Sequence, residues 1–337
     1  MMQSRLPAHK RPLLTETRPP LIAPGDLQFV LAVAFILGLR VLPASVRPRF
    51  LMQLSRFLGT LWHKSNMQDV RRVRQHVQQL FPNRWSATDI EAIVRQQLSL
   101  TVWNFMTLNL IPTLNREQSA QLLPVTGMEH LAALRAEKRP SLLLGAHIGP
   151  YAYPVAAVLM ANEFQVHEVG HARPRQGSSW LYRKLYWPRI QATCRFMQVI
   201  DPLQGGQAEL LDVIRSGKIL FLLPDQLYVP AADVPRSRHL VQIAYLGHTV
   251  NLETGGLRLC KRLNTAVFTA LPTFVHNRYH ISIEPFTLPT TGLHPDDLAV
   301  DLQAFMDQVA QRIEAQPFLW RDLRRADLPA RLGVSTT

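Results

Sequence analysis

The hydrophobic pattern changes character once along the chain. Up to about residue 115 apolar positions recur at helical spacing; from Leu123 onward short apolar runs alternate with amphipathic stretches. Across Arg49–Asn66 the apolar residues Phe50, Leu51, Leu54, Phe57, Leu58, Leu61 and Trp62 share one side of a predicted helix. Asp69–Leu80 reads as a basic helix carrying Arg71, Arg72 and Arg74 and ending at Phe81-Pro82-Asn83. A third helix is expected from Thr88, with Thr88 as N-cap and Glu91 closing a capping box, continuing through Val94, Leu98 and Val102 towards Phe105. Beyond Leu123, strands are predicted at Ser141–Leu144, Gln165–Val169, Met197–Ile200, Ile219–Leu223, Ala266–Leu271 and Tyr279–Phe286. Helices are predicted at Met128–Glu137, Val155–Ala161, Gln204–Ser216, Leu252–Leu263 and Pro295–Ala315. This alternation points to an α/β fold, a mainly parallel sheet flanked by helices, preceded by an N-terminal hydrophobic helix and a helical hairpin.

The most apolar stretch is Leu27–Leu39. Extended to Leu42 it covers about 16 residues, short of the roughly 20 that span a bilayer, and it contains Gln28 and Arg40. A short span, insertion into one leaflet and a buried core helix all fit it. Residues 1–25 hold Pro7, Pro12, Pro19, Pro20 and Pro24 with a basic excess, which predicts a leader without helix that suits an anionic cytoplasmic leaflet. The arrangement of a cleavable signal is missing. The expected organisation is a leader (1–25), a membrane-proximal helical segment (26–115), an α/β domain (116–328) and a tail (329–337).

Composition narrows the partners. The 337 residues are 47% hydrophobic and 18% charged, too apolar for disorder. Lys and Arg outnumber Asp and Glu by 37 to 24, a formal charge of +13 that suits an anionic partner: a membrane surface, a phosphorylated substrate or nucleic acid. The two cysteines, Cys194 and Cys260, form neither a disulfide framework nor a metal site, and suggest a reducing compartment.

Candidate chemistry centres on Leu142–Tyr153, an apolar strand that delivers His147 into a Gly149-Pro150 turn ahead of a helix. Lys218–Gln226 is a second apolar strand delivering Pro224, Asp225 and Gln226. Two parallel strands ending this way place His147 and Asp225 on one rim of the sheet, where ligands of α/β folds bind. A histidine so placed serves as a general base towards a hydroxyl if a partner orients it. His167-Glu168-Val-Gly-His171 matches the His-Glu-x-x-His zinc pattern in letters. That chemistry needs a helix, whereas this segment reads as a strand with Gly170 inside and Pro174 just beyond, so no metal is assigned to it. Between Val169 and Ile200 six basic residues, Arg173 among them, interleave with Trp180, Tyr182, Tyr186, Trp187 and Phe196 without an acidic one. Such a face suits lipid headgroups, an acidic carrier protein or a pantetheine phosphate ahead of nucleic acid.

These residues together resemble the lipid A secondary acyltransferases, within the glycerolipid acyltransferase superfamily. His147-Ile-Gly149-Pro-Tyr151 resembles the family's His-x-Gly-x-aromatic-acid block. Arg71–Pro82 is similar to its basic helix ending in Phe-Pro, Gly127–Leu131 to its Gly-x-Glu-x-Leu, and Arg173-Pro174 to its Arg-Pro after the second strand. Pro224-Asp225-Gln226, Leu246-Gly247 and Pro317–Arg325 follow in the family's order. The resemblance implies an enzyme on the cytoplasmic face of the inner membrane. It would move a fatty acyl group from acyl carrier protein or coenzyme A to a lipid hydroxyl, with His147 as general base and no prosthetic group. Gly149, Tyr151, Arg173, Gln226 and Gly247 are the expected substrate-binding positions, with Asp225 beside His147 in the catalytic set.

One position departs from the pattern. The family's acidic residue five places after the histidine is Ala152 here. Asp225 could orient the imidazole instead, Tyr151 or Tyr153 could do so by a hydrogen bond, or the protein has lost turnover and binds lipid or carrier protein.

Overall fold

The computed structural model describes residues 20–22, 38–39, 41–43, 46–65, 67–110, 114–169, 179–188, 198–200, 207–227 and 240–333. Three long helices come first: α1 (Arg47–Lys64), α2 (Gln68–Leu80) and α3 (Ala87–Leu110). α1 lies directly on α3, and Gly59 permits the approach, since a Cβ there would sit 2.3 Å from the Ser99 hydroxyl. The capping box of α3 is not the expected one. Ser86 accepts from the Asp89 backbone N–H while the Asp89 carboxylate accepts from the Ser86 N–H. Glu91 is thereby released from capping and binds Arg74 and His63. The leader apart from residues 20–22, and Leu27–Leu42 apart from residues 38, 39, 41 and 42, lie outside the described residues; Gly38 and Leu39 are helical.

Among the described residues the further α-helices and strands are α4 (Arg116–Leu122), β1 (Val125–Thr126), α5 (Met128–Ala136), β2 (Ser141–Leu144), α6 (Tyr153–Ala161), β3 (Val166–Val169), β4 (Gln198–Ile200), α7 (Gln207–Arg215) and β5 (Ile219–Leu222). They continue as β6 (Leu240–Tyr245), β7 (His248–Glu253), α8 (Gly255–Arg262), β8 (Ala266–Val275), β9 (Arg278–Pro285), α9 (Pro295–Ala315) and α10 (Leu328–Arg331). Seven strands form one sheet in the order β1-β9-β8-β2-β5-β3-β4, and every pairing is parallel except β8 with β9. β2 is buried at all four positions, as a central strand covered on both faces must be. α6, apolar on nearly every side, packs against α4, α3 and β3.

The expected helix Leu252–Leu263 starts too early. Leu252 is buried in β7, and β6 and β7 form a separate antiparallel hairpin. Their turn residues Leu246 (φ 50°) and Gly247 (φ 80°) both have positive φ, as a two-residue hairpin turn demands. Leu328 and Leu332 are buried in the core, so the chain beyond residue 328 packs against the domain as far as 332. That core is shared: Leu51, Val73 and Trp103 of the first three helices join the same cluster as Leu143, Phe221 and Phe305.

Candidate active site

β2 and β5 are hydrogen-bonded neighbours, so the segments leaving their carboxyl ends emerge side by side. β2 runs through Gly145, whose N–H donates to the Leu222 carbonyl at 2.9 Å, into a turn bearing His147. β5 runs through Leu223 and Pro224 to Asp225. There the Asp225 carboxylate engages two hydrogen-bonding groups of one residue. The His147 backbone N–H donates to Oδ2 at 2.6 Å, and Nδ1 of the ring lies 2.8 Å from Oδ1. Asp225 is 3% exposed, while the His147 side chain keeps 18% of its surface. A proton on Nδ1 donated to this carboxylate leaves Nε2 with a free lone pair, the state a general base needs.

The turn is held from three directions. Gly149 N–H donates to the Leu319 carbonyl at 2.7 Å and Arg321 N–H to the His147 carbonyl at 3.1 Å, stapling the turn to the C-terminal segment 317–324. Asn104 of α3 donates to the Gly149 carbonyl at 3.1 Å. The C-terminal segment is itself gripped by the first helices: Gln97 donates to the Trp320 carbonyl, Arg72 to the Arg324 carbonyl, and His76 Nδ1 lies 2.8 Å from the Leu323 carbonyl. Arg72 and Arg74 therefore act as internal ties, Arg74 by a two-pronged bond to Glu91.

Around His147 stands a polar ring. Tyr151 has its ring centroid 5.2 Å from that of His147, and its hydroxyl accepts from Arg321 Nη1 at 2.9 Å. The Arg321 guanidinium also lies over the Tyr151 ring, 5.3 Å from the centroid. Asp322 is buried, and loss of water pushes its carboxyl up despite neighbouring Arg321. Burial, with the nearby Asp225 and Asp322 carboxylates, pushes the Tyr245 phenol far up. Its hydroxyl has no hydrogen-bond partner among the described residues. Glu168 on β3 is buried, and loss of water pushes its carboxyl up to about 7 against the opposing pull of His147.

The other expected positions separate. Ala152 precedes α6 as its N-cap residue at φ 52°, makes no side-chain cap bond, and is 2% exposed. Gly149 (φ 55°) is needed against protein: a Cβ there would fall 2.7 Å from Cβ of Pro272. Gln226 is exposed beside Asp225. Gly247 occupies the hairpin turn, where a Cβ would meet nothing within 4 Å. Arg173 and His171 lie outside the described residues. His167 and Glu168 stand on a strand, on opposite faces, so the zinc spacing does not bring them together in the way a helix would. Among the described residues no group of three or more His, Cys, Asp or Glu gathers at metal-binding distance. The Cys260 thiol, pushed up to about 12 by burial, is no nucleophile at neutral pH.

Arg321, Asp322, Tyr245 and Glu168 are the members of the site that the sequence reading passed over. Arg321 sits inside the closing block already singled out. Tyr245 lies next to the Leu-Gly pair, and Glu168 in the dismissed zinc pattern. Each signal was present, but none says which strand end it reaches. Elsewhere a cleft of about 250 Å³ opens among Met52, Arg56, Arg95, Phe274 and Tyr279, and no member of the His147 group lines it.

Among families of known proteins, the model described as bacterial lipid A biosynthesis acyltransferase matches residues 15–325. No curated protein matches the chain.

Proposed function

We propose, for a chain that belongs to the bacterial lipid A biosynthesis acyltransferase family, a transfer of a fatty acyl group from a thioester donor to a hydroxyl of a lipid acceptor, with His147 as general base. The observation that carries this reading is the two-point hold of Asp225 on His147. It supplies from β5 the orienting acid that position 152 lacks. Nε2 of His147 takes the acceptor hydroxyl proton, and the alkoxide oxygen bonds to the thioester carbonyl carbon. The tetrahedral intermediate collapses with loss of the C–S bond, and the leaving thiolate takes the proton back from the imidazolium. Asp225 holds the Nδ1 side of the ring and stabilises the imidazolium, as the buried acid of a Ser-His-Asp triad does.

Tyr151 and Arg321 border the space next to the imidazole, where the acceptor or the thioester oxygen would lie. The donor is an acyl carrier protein or coenzyme A thioester, itself a co-substrate, and the chemistry calls for no metal or prosthetic group. The membrane surface is the natural place for the reaction. Val46, Phe50, Phe57 and Leu61 leave apolar surface along one side of α1. Trp180 is also exposed, and its backbone N–H donates to the Pro20 carbonyl beside the exposed Leu21 and Ile22. With a formal charge of +13, these features suit an anionic cytoplasmic leaflet. Among the described residues no helix is long and apolar enough to cross a membrane.

The test is mass spectrometry of cellular lipids from wild type, a His147→Ala strain and a deletion. An acylated species present in wild type and missing from both mutants supports the reading and names the acceptor. A His147→Ala profile identical to wild type, with the deletion different, sinks it in favour of a homologue that binds lipid or carrier protein without turnover.

A further inference from the structure

The cleft formed by α1, α3 and the β8–β9 hairpin is lined by none of the His147 group, and it sets arginines over an aromatic floor. Arg56 of α1 and Arg95 of α3 both line it. The two helices close on each other where Gly59 meets Ser99, which bounds the cleft at that end. The floor is built from three rings. Phe274 stands 4.9 Å from Tyr279 and 5.5 Å from Phe318, centroid to centroid, and Tyr279 and Phe318 are buried.

Neither arginine is matched by a carboxylate. Arg56 donates from Nη2 to the Asn277 side chain at 2.6 Å, and its guanidinium lies 5.9 Å from the Phe274 ring centroid. Arg95 follows Glu91 by four residues, the spacing of a helical ion pair. Glu91 turns instead to Arg74 and His63, and the exposed Arg95 side chain has no partner among the described residues. None of the described residues lining the cleft is acidic. Two guanidiniums without a counter-charge fit a phosphate, since each presents a planar fork of donors that matches its oxygens. The surroundings choose the kind of phosphate. Phe57 follows Arg56 about 100° round α1 and is 58% exposed, with Leu61 48% exposed one turn on. Val275, two residues before Asn277 at the hairpin tip, is 50% exposed. Exposed apolar side chains on two of the elements that form the cleft suit the boundary between headgroups and acyl chains. The volume of about 250 Å³ falls below the roughly 300–1,000 Å³ of pockets that enclose a whole drug-sized ligand, so it takes a headgroup and leaves the tails outside.

We propose that this cleft is a headgroup site for an anionic phospholipid of the membrane surface. Arg56 and Arg95 hold its phosphate, while Phe57, Leu61 and Val275 rest at the edge of the acyl chains beside it. The site is separate from the place where an acceptor would react, and the inference goes beyond the acyl-transfer reading without depending on it. A lipid held in this way sets α1 and the hairpin tip against the bilayer and fixes which side of the domain faces it.

The experiment is vesicle flotation of the purified full-length chain at fixed ionic strength. Vesicles of phosphatidylcholine alone are compared with vesicles that also contain phosphatidylglycerol. The ratio of the two partition coefficients is read, because the apolar contribution of the chain, Leu27–Leu42 included, cancels in it. Arg56→Gln and Arg95→Gln are each expected to lower the ratio about tenfold or more. Arg49→Gln removes the same charge from α1 outside the cleft and is expected to lower it less than about fivefold. Arg95→Lys keeps the charge but not the fork, and a loss of about threefold is expected. Arg95 makes no internal contact that folding depends on, so its variants remain informative if Arg56→Gln disturbs the hairpin. An Arg95→Lys ratio equal to wild type, with Arg49→Gln falling as far as Arg95→Gln, means diffuse attraction only and overturns the proposal. Glycerol phosphate that binds wild type in solution but not Arg95→Gln, with the vesicle ratio unmoved, assigns the cleft to a soluble phosphate and overturns it too.

Discussion

Asp225 holds His147 by ring and backbone together, 2.8 Å from Nδ1 and 2.6 Å from the backbone nitrogen. The same carboxylate fixes the tautomer of the base and the angle of its turn. Asp225→Asn keeps the volume but presents an amide that can donate, which favours the wrong tautomer. A transfer-rate loss of about 10³- to 10⁴-fold is expected, with circular dichroism unchanged, by analogy with the orienting acid of a Ser-His-Asp triad. A loss below tenfold would remove Asp225 from the catalytic set.

Restoring the family's acid is expected to gain nothing. In Ala152→Glu the new carboxyl enters a position 2% exposed, at φ 52°, where Nδ1 of His147 is already engaged by Asp225. Activity should not rise, and thermal unfolding should come earlier, since burying an unpaired carboxyl is costly. A rise in kcat would show that Asp225 does not do the work of the missing acid.

Gly149→Ala strikes the turn through sterics. A methyl group at φ 55° meets Cβ of Pro272 at 2.7 Å, so the turn must shift. Urea unfolding should show a loss of about 1–3 kcal/mol. The transfer rate should fall too, because the Gly149 N–H bond to Leu319 holds the His147 turn.

Far from the site, Lys261 and Asp301 form a buried ion pair between α8 and α9, with Thr290 bonded to both. Asp301→Ala leaves the ammonium uncompensated and should cost roughly 3–5 kcal/mol in urea unfolding. Asp301 is fully buried. A loss under 1 kcal/mol would mean that water reaches Lys261 in the variant.

Acid should loosen the tie between α2 and α3. Arg74 chiefly, with help from His63, holds the Glu91 carboxyl down at about 2 from its ordinary 4.5. A depressed folded value means that the stabilisation is present above about pH 4.5 and is lost as pH falls towards 2. The stability difference between wild type and Glu91→Gln should therefore shrink over that window. Because Glu91 is more than one third exposed, the effect should also weaken with salt.

Local pattern carried much of this protein. Ser141–Leu144 and Pro295–Ala315 have the boundaries that apolar runs, proline and capping signals imply, because the interactions that make them lie within a few residues. The same locality explains the errors. Val241, Ile243 and Tyr245 are buried in alternation with the exposed Gln242 and Ala244, and Val250 and Leu252 alternate with polar neighbours, a strand rhythm on both sides of Leu246-Gly247. The apolar count alone ran Leu252 into the following helix. At the start of α3 two overlapping capping patterns compete. Ser86 with Asp89 wins, and Glu91 is taken by Arg74, a partner on another helix.

The sheet rim that carries His147 and Asp225 could be read from two apolar strands with polar ends. That β2 and β5 are neighbours, so that Asp225 reaches Nδ1, is a matter of strand order, which no stretch of sequence contains. The same holds for Glu168, which resembles part of a zinc pattern until β3 is placed beside β5. It holds again for Arg321, delivered to the site by a C-terminal segment that α2 and α3 clamp from the other end of the chain. Secondary structure follows from hydrogen bonds and side-chain periodicity between near neighbours, so the chain's own order encodes it legibly. The site is an arrangement of charges a few ångströms apart but tens to hundreds of residues distant in sequence. Only the packed core, by choosing which strands and turns meet, sets those distances.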